Sequence, residues 1–377
     1  MTDDTFAPGL ENVIAAETRL SHVDGEAGEL VIGGFPVEEL AANATYEETL
    51  FLLWNDRLPD ADELDALRTD LAARREIADE SYEVVRAAAE DGADAMDALR
   101  MGAASANLGR EDESPEEAAR TAVARFPTIV AAYWRAREGE EPVAPREDLS
   151  HAANYLYVLT GEEPSDAEVR GLETYLNTVV DHGLNASTFT ARTIASTRSD
   201  VVSAVTGAVG ALKGPLHGGA PGPVLDMLLE IEETGDAEAY LRERLESGER
   251  IMGFGHRVYR VRDPRAAVLS AAAERFYEAD GDGEFLALAA EVEETAIDLL
   301  AEYKPDRPLD TNVEFYTSLL LHGIGVPRDL FAATFGVARV GGWTSHSLEQ
   351  LEADRLIRPR GRYVGDAERT WTPLDER

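Results

Sequence analysis

Apolar residues recur at helical spacing along most of this chain, as in Leu50, Leu53 and Trp54 or Leu225, Leu228 and Leu229. That period commits a segment to an amphipathic helix with one buried face. Thr45 followed by Glu48 has the spacing of a capping box and predicts a helix start, and Pro59, soon after Trp54, marks its end. One stretch breaks the pattern: the short apolar run at residues 29–35 follows the turn signal Asp24-Gly25 and lies beside Gly33-Gly34, which reads as a small hairpin. No other segment alternates like a strand, so repeated strand-helix units are not expected. No fixed-period repeat or low-complexity tract is found. The charged, Pro-containing stretches 110–118 and 137–148, with 280–283, read as surface connections. The expectation is an all-α protein with a short N-terminal hairpin.

With 377 residues the chain has room for two or three domains. Its interior composition is ordinary, at 44% hydrophobic and 7% aromatic residues, so wholesale disorder is excluded. Its charge is not ordinary: 73 Asp and Glu face 35 Lys and Arg, a formal charge of −38, and Lys213 and Lys304 are the only lysines. Such a surface repels nucleic acid and anionic membranes. The carboxylates are scattered along helical segments rather than gathered in a tail, which describes a solvated face and not a cation-binding arm. Concentrated salt would screen the self-repulsion, so the expectation is an intracellular protein of a salt-loving organism. Without Cys there are no disulfides, thiolate metal sites or Cys nucleophiles. Met1-Thr2-Asp3-Asp4 does not read as a signal peptide and no apolar run is long enough to span a membrane, so the cytoplasm is the expected compartment.

Polar chemistry therefore falls to histidines, carboxylates and arginines. Three of the seven histidines stand in unusual surroundings: Asp181-His182-Gly183, Pro215-Leu216-His217-Gly218-Gly219 and Gly253-Phe254-Gly255-His256-Arg257. A lone His is usually structural, but flanking glycines allow close backbone approach to a ligand. The Gly253-Phe254-Gly255 fragment follows Ser247-Gly248-Glu249-Arg250 rather than a strand, so it fails the context test for a dinucleotide loop. His182, His217 and His256 lack the short spacing of zinc motifs, which argues against a metal. Among the arginines, Arg265 and Arg358 read equally as surface ion pairs. Arg339 differs, because Gly336-Val337-Ala338-Arg339-Val340-Gly341-Gly342-Trp343 reads as a buried apolar helix. A guanidinium there is tolerated mainly when it meets an anion, and its fork suits a carboxylate.

These strings resemble the citrate synthase family. The resemblance rests on His182-Gly183-Leu184-Asn185-Ala186-Ser187-Thr188, Gly214-Pro215-Leu216-His217-Gly218-Gly219-Ala220, Gly253-Phe254-Gly255-His256-Arg257-Val258-Tyr259 and Asp263-Pro264-Arg265. It also runs through Asp24-Gly25-Glu26, Leu52-Leu53-Trp54-Asn55, Met96-Asp97-Ala98-Leu99-Arg100, Leu149-Ser150-His151-Ala152-Ala153-Asn154-Tyr155 and Arg358-Pro359-Arg360, and so covers essentially the whole chain. It implies a large helical domain (1–217 and 319–377) carrying a smaller helical domain (218–318), which close over the substrates, and a homodimer with shared active sites. The implied reaction joins acetyl-CoA to oxaloacetate, with a coenzyme A thioester as co-substrate and no permanently bound cofactor.

By matching motif, His217 would hydrogen-bond the thioester carbonyl and His256 would protonate the oxaloacetate carbonyl. His182, Arg265 and Arg339 would bind oxaloacetate, with Arg358 reaching in from the partner chain. Arg250, Ile251, Met252, Gly253 and Phe254 would hold the adenine end of CoA largely through backbone groups. Arg257 and Arg260 read either as phosphate partners or as surface ion pairs. The chemistry suits these residue types: a thioester enolate needs a base at carbon and a donor at oxygen, and a helix N-terminus near the glycines would keep His217 neutral. The family's base is an Asp, and the matching residue in Thr311-Asn312-Val313-Glu314-Phe315-Tyr316 is Glu314. One added methylene moves its reach by about an ångström, which can cost roughly a hundredfold if nothing compensates. Three readings follow: an active base in a repositioned segment, an enzyme tuned to a bulkier acyl-CoA such as a 2-methylcitrate synthase, and a silent CoA-binding paralogue.

The charge argument makes a direct prediction. The thermal midpoint rises by several degrees between low salt and molar potassium chloride, followed by circular dichroism, because the screening length falls from about 10 Å at 0.1 M to about 3 Å at 1 M. Full stability and activity without added salt would contradict it.

Overall fold

The computed structural model describes residues 6–110, 112–218, 221–255, 259, 261–279, 283–305 and 309–377. A three-stranded antiparallel sheet opens the chain, with β1 (Ser21–Asp24) paired to β2 (Glu29–Ile32) and β2 to β3 (Phe35–Pro36). The expected hairpin is thus present, with a third short strand that the sequence did not signal. Helices α1 (Val37–Asn43), α2 (Tyr46–Asn55), α3 (Ala61–Ala72), α4 (Asp79–Glu90), α5 (Ala95–Ala104) and α6 (Pro115–Arg137) follow. Next come α7 (His151–Thr160), α8 (Asp166–Val179), α9 (Ala186–Ala195) and α10 (Val201–Leu212). Then α11 (Pro221–Thr234), α12 (Ala237–Glu246), α13 (Pro264–Ala279), α14 (Gly283–Tyr303), α15 (Val313–Gly323) and α16 (Phe331–Ala353) complete the fold.

The helices start where side chains satisfy their first amide groups. Thr45, Asp60, Ser114 and Ser165 each close a capping box with a Glu three residues on, which pairs two otherwise unsatisfied donors. The Thr45 box is the one expected from sequence. Ser114 and Pro115 correct the expected 110–118 connection: Pro115 is the first helical residue of α6, where its missing amide costs nothing.

The core is built around α16, which packs on α6, α9, α10 and α8. Gly342 permits this, since a Cβ there would lie 2.3 Å from the Val180 carbonyl oxygen, a backbone atom unable to give way. A second group forms where α11 packs on α15 and α12 on α14, while α13 spans the two by packing on α15 and α8.

One buried pair of carboxylates has a consequence for stability. Glu47 and Glu173 are both buried, and Glu47 accepts the His151 amide at 2.8 Å. Burial, then the nearby Glu47, pushes Glu173 up to about 7 against the opposing charges of Arg170 and Arg68. A carboxyl raised on folding favours the folded state below its unfolded value and loses that advantage as pH rises through about 7. Glu173→Gln is therefore more stable than the parent at pH 8, by on the order of 1–3 kcal/mol, and melts at a higher temperature. The difference shrinks by pH 5, as read by thermal denaturation at both values.

Candidate active site

A cleft of about 580 Å³ collects residues that stand far apart in sequence: Tyr175, His182, His217, Arg265, Asn312, Glu314 and Arg339 all line it. His182 lies in the connection between α8 and α9, and His217 in the turn after α10. Arg265 opens α13, Glu314 sits in the first turn of α15, and Arg339 projects from the middle of α16.

The His217 ring is set by its neighbours. The amide of Ser187, in the first turn of α9, donates to Nε2 of His217 at 3.1 Å. A nitrogen that accepts this bond carries no proton, so a neutral ring keeps its proton on the other nitrogen, available to a ligand. Burial, then the charge of Arg339, pushes His217 down to about 4, so the ring is neutral at physiological pH. The helix N-terminus that bonds the ring is that of α9, thirty residues earlier in the chain. Ser187 is itself pinned: its Oγ accepts the Trp343 indole N–H at 3.0 Å and lies 2.8 Å from Asn185 Oδ1.

Glu314 is held at its backbone. Asn312 caps α15 by accepting the Glu314 amide at 2.9 Å, and it also donates its own amide to the Gly253 carbonyl and its side chain to the Gly255 carbonyl, each at 2.9 Å. Gly253 must be glycine here, with φ at +89° and Phe315 3.0 Å from any added Cβ. Burial raises the Glu314 carboxyl above its ordinary value and Arg265 opposes the rise.

On the cationic side, Arg265 is clamped by Asp263, which accepts Nη2 at 2.8 Å and Nε at 3.1 Å. Arg339 is only 2% exposed. Its Nε donates to the Val179 carbonyl at 2.7 Å and its plane lies 4.6 Å over Phe335. Among the described residues no acceptor takes its two amino groups. Burial lowers it to about 10, which leaves it charged at neutral pH. Behind His182, Ser21 of β1 donates to Asp181 and accepts the Gly183 amide at 2.9 Å. His346 takes a bond from Arg192 at Nδ1 (2.9 Å), so its Nε2 carries the proton and donates to Asp181 at 3.2 Å.

A model of the citrate synthase family, described as its C-terminal domain, matches residues 9–360. The citrate synthase of Haloferax volcanii is 44% identical, covering 98% of this chain and 98% of the relative. The chain belongs to the citrate synthase family. A 2-methylcitrate synthase of Mycobacterium tuberculosis is 38% identical over 96% of this chain and 91% of its own length. Among solved structures, the ternary complex of the Thermoplasma acidophilum citrate synthase with carboxymethyl coenzyme A and oxaloacetate superposes with a TM-score of 0.88 at 30% identity. It covers 99% of this chain and 100% of that one.

Of the residues that the citrate synthase motifs single out, His182, His217, Glu314, Arg265 and Arg339 share the cleft. Arg358 does not: it lines a separate groove of about 510 Å³ with Arg192, Gln350 and Ile357. Arg250, Ile251 and Met252 line a third hollow with Tyr240 and Arg244. Gly253 and Phe254 run beside the segment that carries Glu314, Phe254 bridging to Thr311, so part of the backbone expected to meet CoA is bonded internally. His256, Arg257 and Arg260 lie outside the described residues. Ser187, Asp181, Asp263 and Tyr259 were passed over although they stand inside the quoted motifs, and Trp343 ends the one that carries Arg339. Their polar groups beside a buried or Gly-flanked candidate were the available signal.

The His217 geometry is open to measurement. In protein labelled with ¹⁵N at histidine, His217 shows one neutral tautomer from pH 8 down to about 5, the lowered value of about 4 lying below that window. A doubly protonated ring at pH 6 would contradict the assignment.

Proposed function

We propose that this protein is a citrate synthase, condensing acetyl-CoA with oxaloacetate and hydrolysing citryl-CoA to citrate and CoA. The observation that carries the reading is a single cleft in which a half-buried carboxylate, a neutral imidazole and a buried guanidinium whose amino groups meet no acceptor among the described residues come together. Glu314 removes a proton from the acetyl methyl group; its raised value, still opposed by Arg265, makes it a stronger base than a solvated carboxylate. His217 donates to the thioester oxygen as enolate charge develops there, which a neutral imidazole can do. His182, Arg265 and Arg339 hold oxaloacetate, and His256 protonates its carbonyl oxygen as the carbon-carbon bond forms. The CoA thioester is a co-substrate, with its adenine end along Arg250, Ile251, Met252, Gly253 and Phe254, and no cofactor stays bound.

The cleft is lined from both parts of the proposed division, with Arg265, Asn312 and Glu314 from residues 218–318 and His182, His217 and Arg339 from the remainder. Closure of the smaller domain would therefore enclose the substrates and exclude water. Charge supports a homodimer with shared sites. In one chain Arg265 is already offset by Asp263 and Glu314, so a second carboxylate of the substrate would gain from a further cation. Arg358 of the partner subunit would supply it, in keeping with its absence from the cleft of its own chain. The charge of −38 and the resemblance to a Haloferax enzyme support work in a salt-rich cytoplasm.

The test is release of free CoA in molar potassium chloride from acetyl-CoA and from propionyl-CoA at fixed oxaloacetate. The parent turns over acetyl-CoA faster, and Glu314→Gln loses at least about a hundredfold in kcat. Preference for propionyl-CoA would mark a 2-methylcitrate synthase, a difference of one methylene and about 1–3 kcal/mol. No release with either would leave a CoA-binding protein.

A further inference from the structure

We infer that Tyr259 is a positioning residue for the oxaloacetate side of the cleft, acting through His182 and Arg265. The inference rests on the reading above, which places those two residues on that substrate. Tyr259 is 4% exposed and lies between α12 and α13, 77 residues from His182. Its hydroxyl is 3.0 Å from His182 Nε2, and the two rings meet edge to face with centroids 5.6 Å apart. The guanidinium of Arg265 lies 5.9 Å from the centre of the same phenol ring. One side chain thus touches two cleft-lining groups in two ways, with its polar tip on one and its π-face toward the other.

The phenol is protonated at working pH, since burial raises it. Whether the O–H donates to Nε2 or accepts from it, that nitrogen is committed to the tyrosine and rotation of the imidazole is blocked. The ring is thereby held in one orientation at the cleft wall. The mounting on both sides is firm. Gly183 is tied to Ser21 of β1, and Val261, two residues after Tyr259, sits against Gly28 in the β1–β2 turn, where a Cβ would meet it at 2.6 Å. The N-terminal hairpin therefore braces both connections that Tyr259 joins. A phenylalanine would fill the same volume, so the hydroxyl answers to a polar requirement, and its partner is a group of the cleft.

Tyr259→Phe removes the oxygen and keeps the ring, so steady-state kinetics in molar potassium chloride separate the roles. KM for oxaloacetate rises roughly three- to tenfold, the equivalent of one net hydrogen bond. KM for acetyl-CoA and kcat stay within about twofold, the melting temperature is unchanged, and the pH profile of kcat/KM for oxaloacetate is displaced. An unchanged oxaloacetate KM in an active variant would overturn the inference while leaving the citrate synthase reading intact. Equal losses for both substrates with a lowered melting temperature would also overturn it, by showing a packing role alone. Calorimetric titration of oxaloacetate into parent and variant without acetyl-CoA gives an independent readout if the parent proves inactive: equal affinities would sink the inference, and weaker binding by the variant would sustain it.

Discussion

The close passage of α16 across the end of α8 organises the cleft. It depends on Gly342, since any side chain there would strike the backbone of Val180. Once the helices meet at that distance, the 3.6-residue period brings Arg339, Trp343 and His346 to one face. Each bonds the segment from 179 to 187: Arg339 the carbonyl of Val179, His346 the carboxylate of Asp181, Trp343 the hydroxyl of Ser187. That segment carries His182, and its Ser187 amide fixes His217. A substitution at Gly342 would thus move a cation, two imidazoles and a helix N-terminus together.

Burial acts on the two acid-base groups of this cleft in the same sense, toward the neutral form, yet they need different outcomes. For His217 neutrality is the useful state, and the α9 amide enforces it by occupying the nitrogen that would take the second proton. For Glu314, proposed above as the base, neutrality would remove the function. Its position at the N-terminal turn of α15 and the charge of Arg265 both favour the anion against burial. The added methylene relative to aspartate leaves this arrangement in place, because the backbone is what Asn312 and Gly253 fix.

How much of this was readable in the sequence follows the range of the interactions. Helices and their starts were legible at Thr45 because a capping box spans four residues. The burial of Arg339 was legible because its neighbours are all small or apolar. The start of α6 was misread because Pro115 among charged residues looks like a loop until Ser114 is recognised as its cap. The helix N-terminus expected at His217 was legible as a type, but the amide that meets its ring lies thirty residues away. The role of Tyr259 depends on a contact spanning 77 residues, and no local pattern encodes it.

The near absence of lysine is usually read at the surface, but the interior gives it a second meaning. Arg125 donates to the carbonyls of Ala106, Leu108 and Arg74, Arg75 to those of Arg146 and Leu149, and Arg170 to those of Ala41 and Ala44. In each case a planar fork holds two or more carbonyls at once, which the point charge of an ammonium cannot do with the same geometry. Arg192 meets Gln350, His346 and Glu349. Against that pattern Arg339 is the exception: as deeply buried as any of them, it uses one donor of five on the described residues. Among the described residues, a chain that otherwise joins its buried guanidinium groups to several acceptors leaves this one with a single acceptor at the wall of the cleft. The desolvation cost of that arrangement is relieved when an anion arrives, so the same residue that weakens the empty site gives it affinity for a carboxylate.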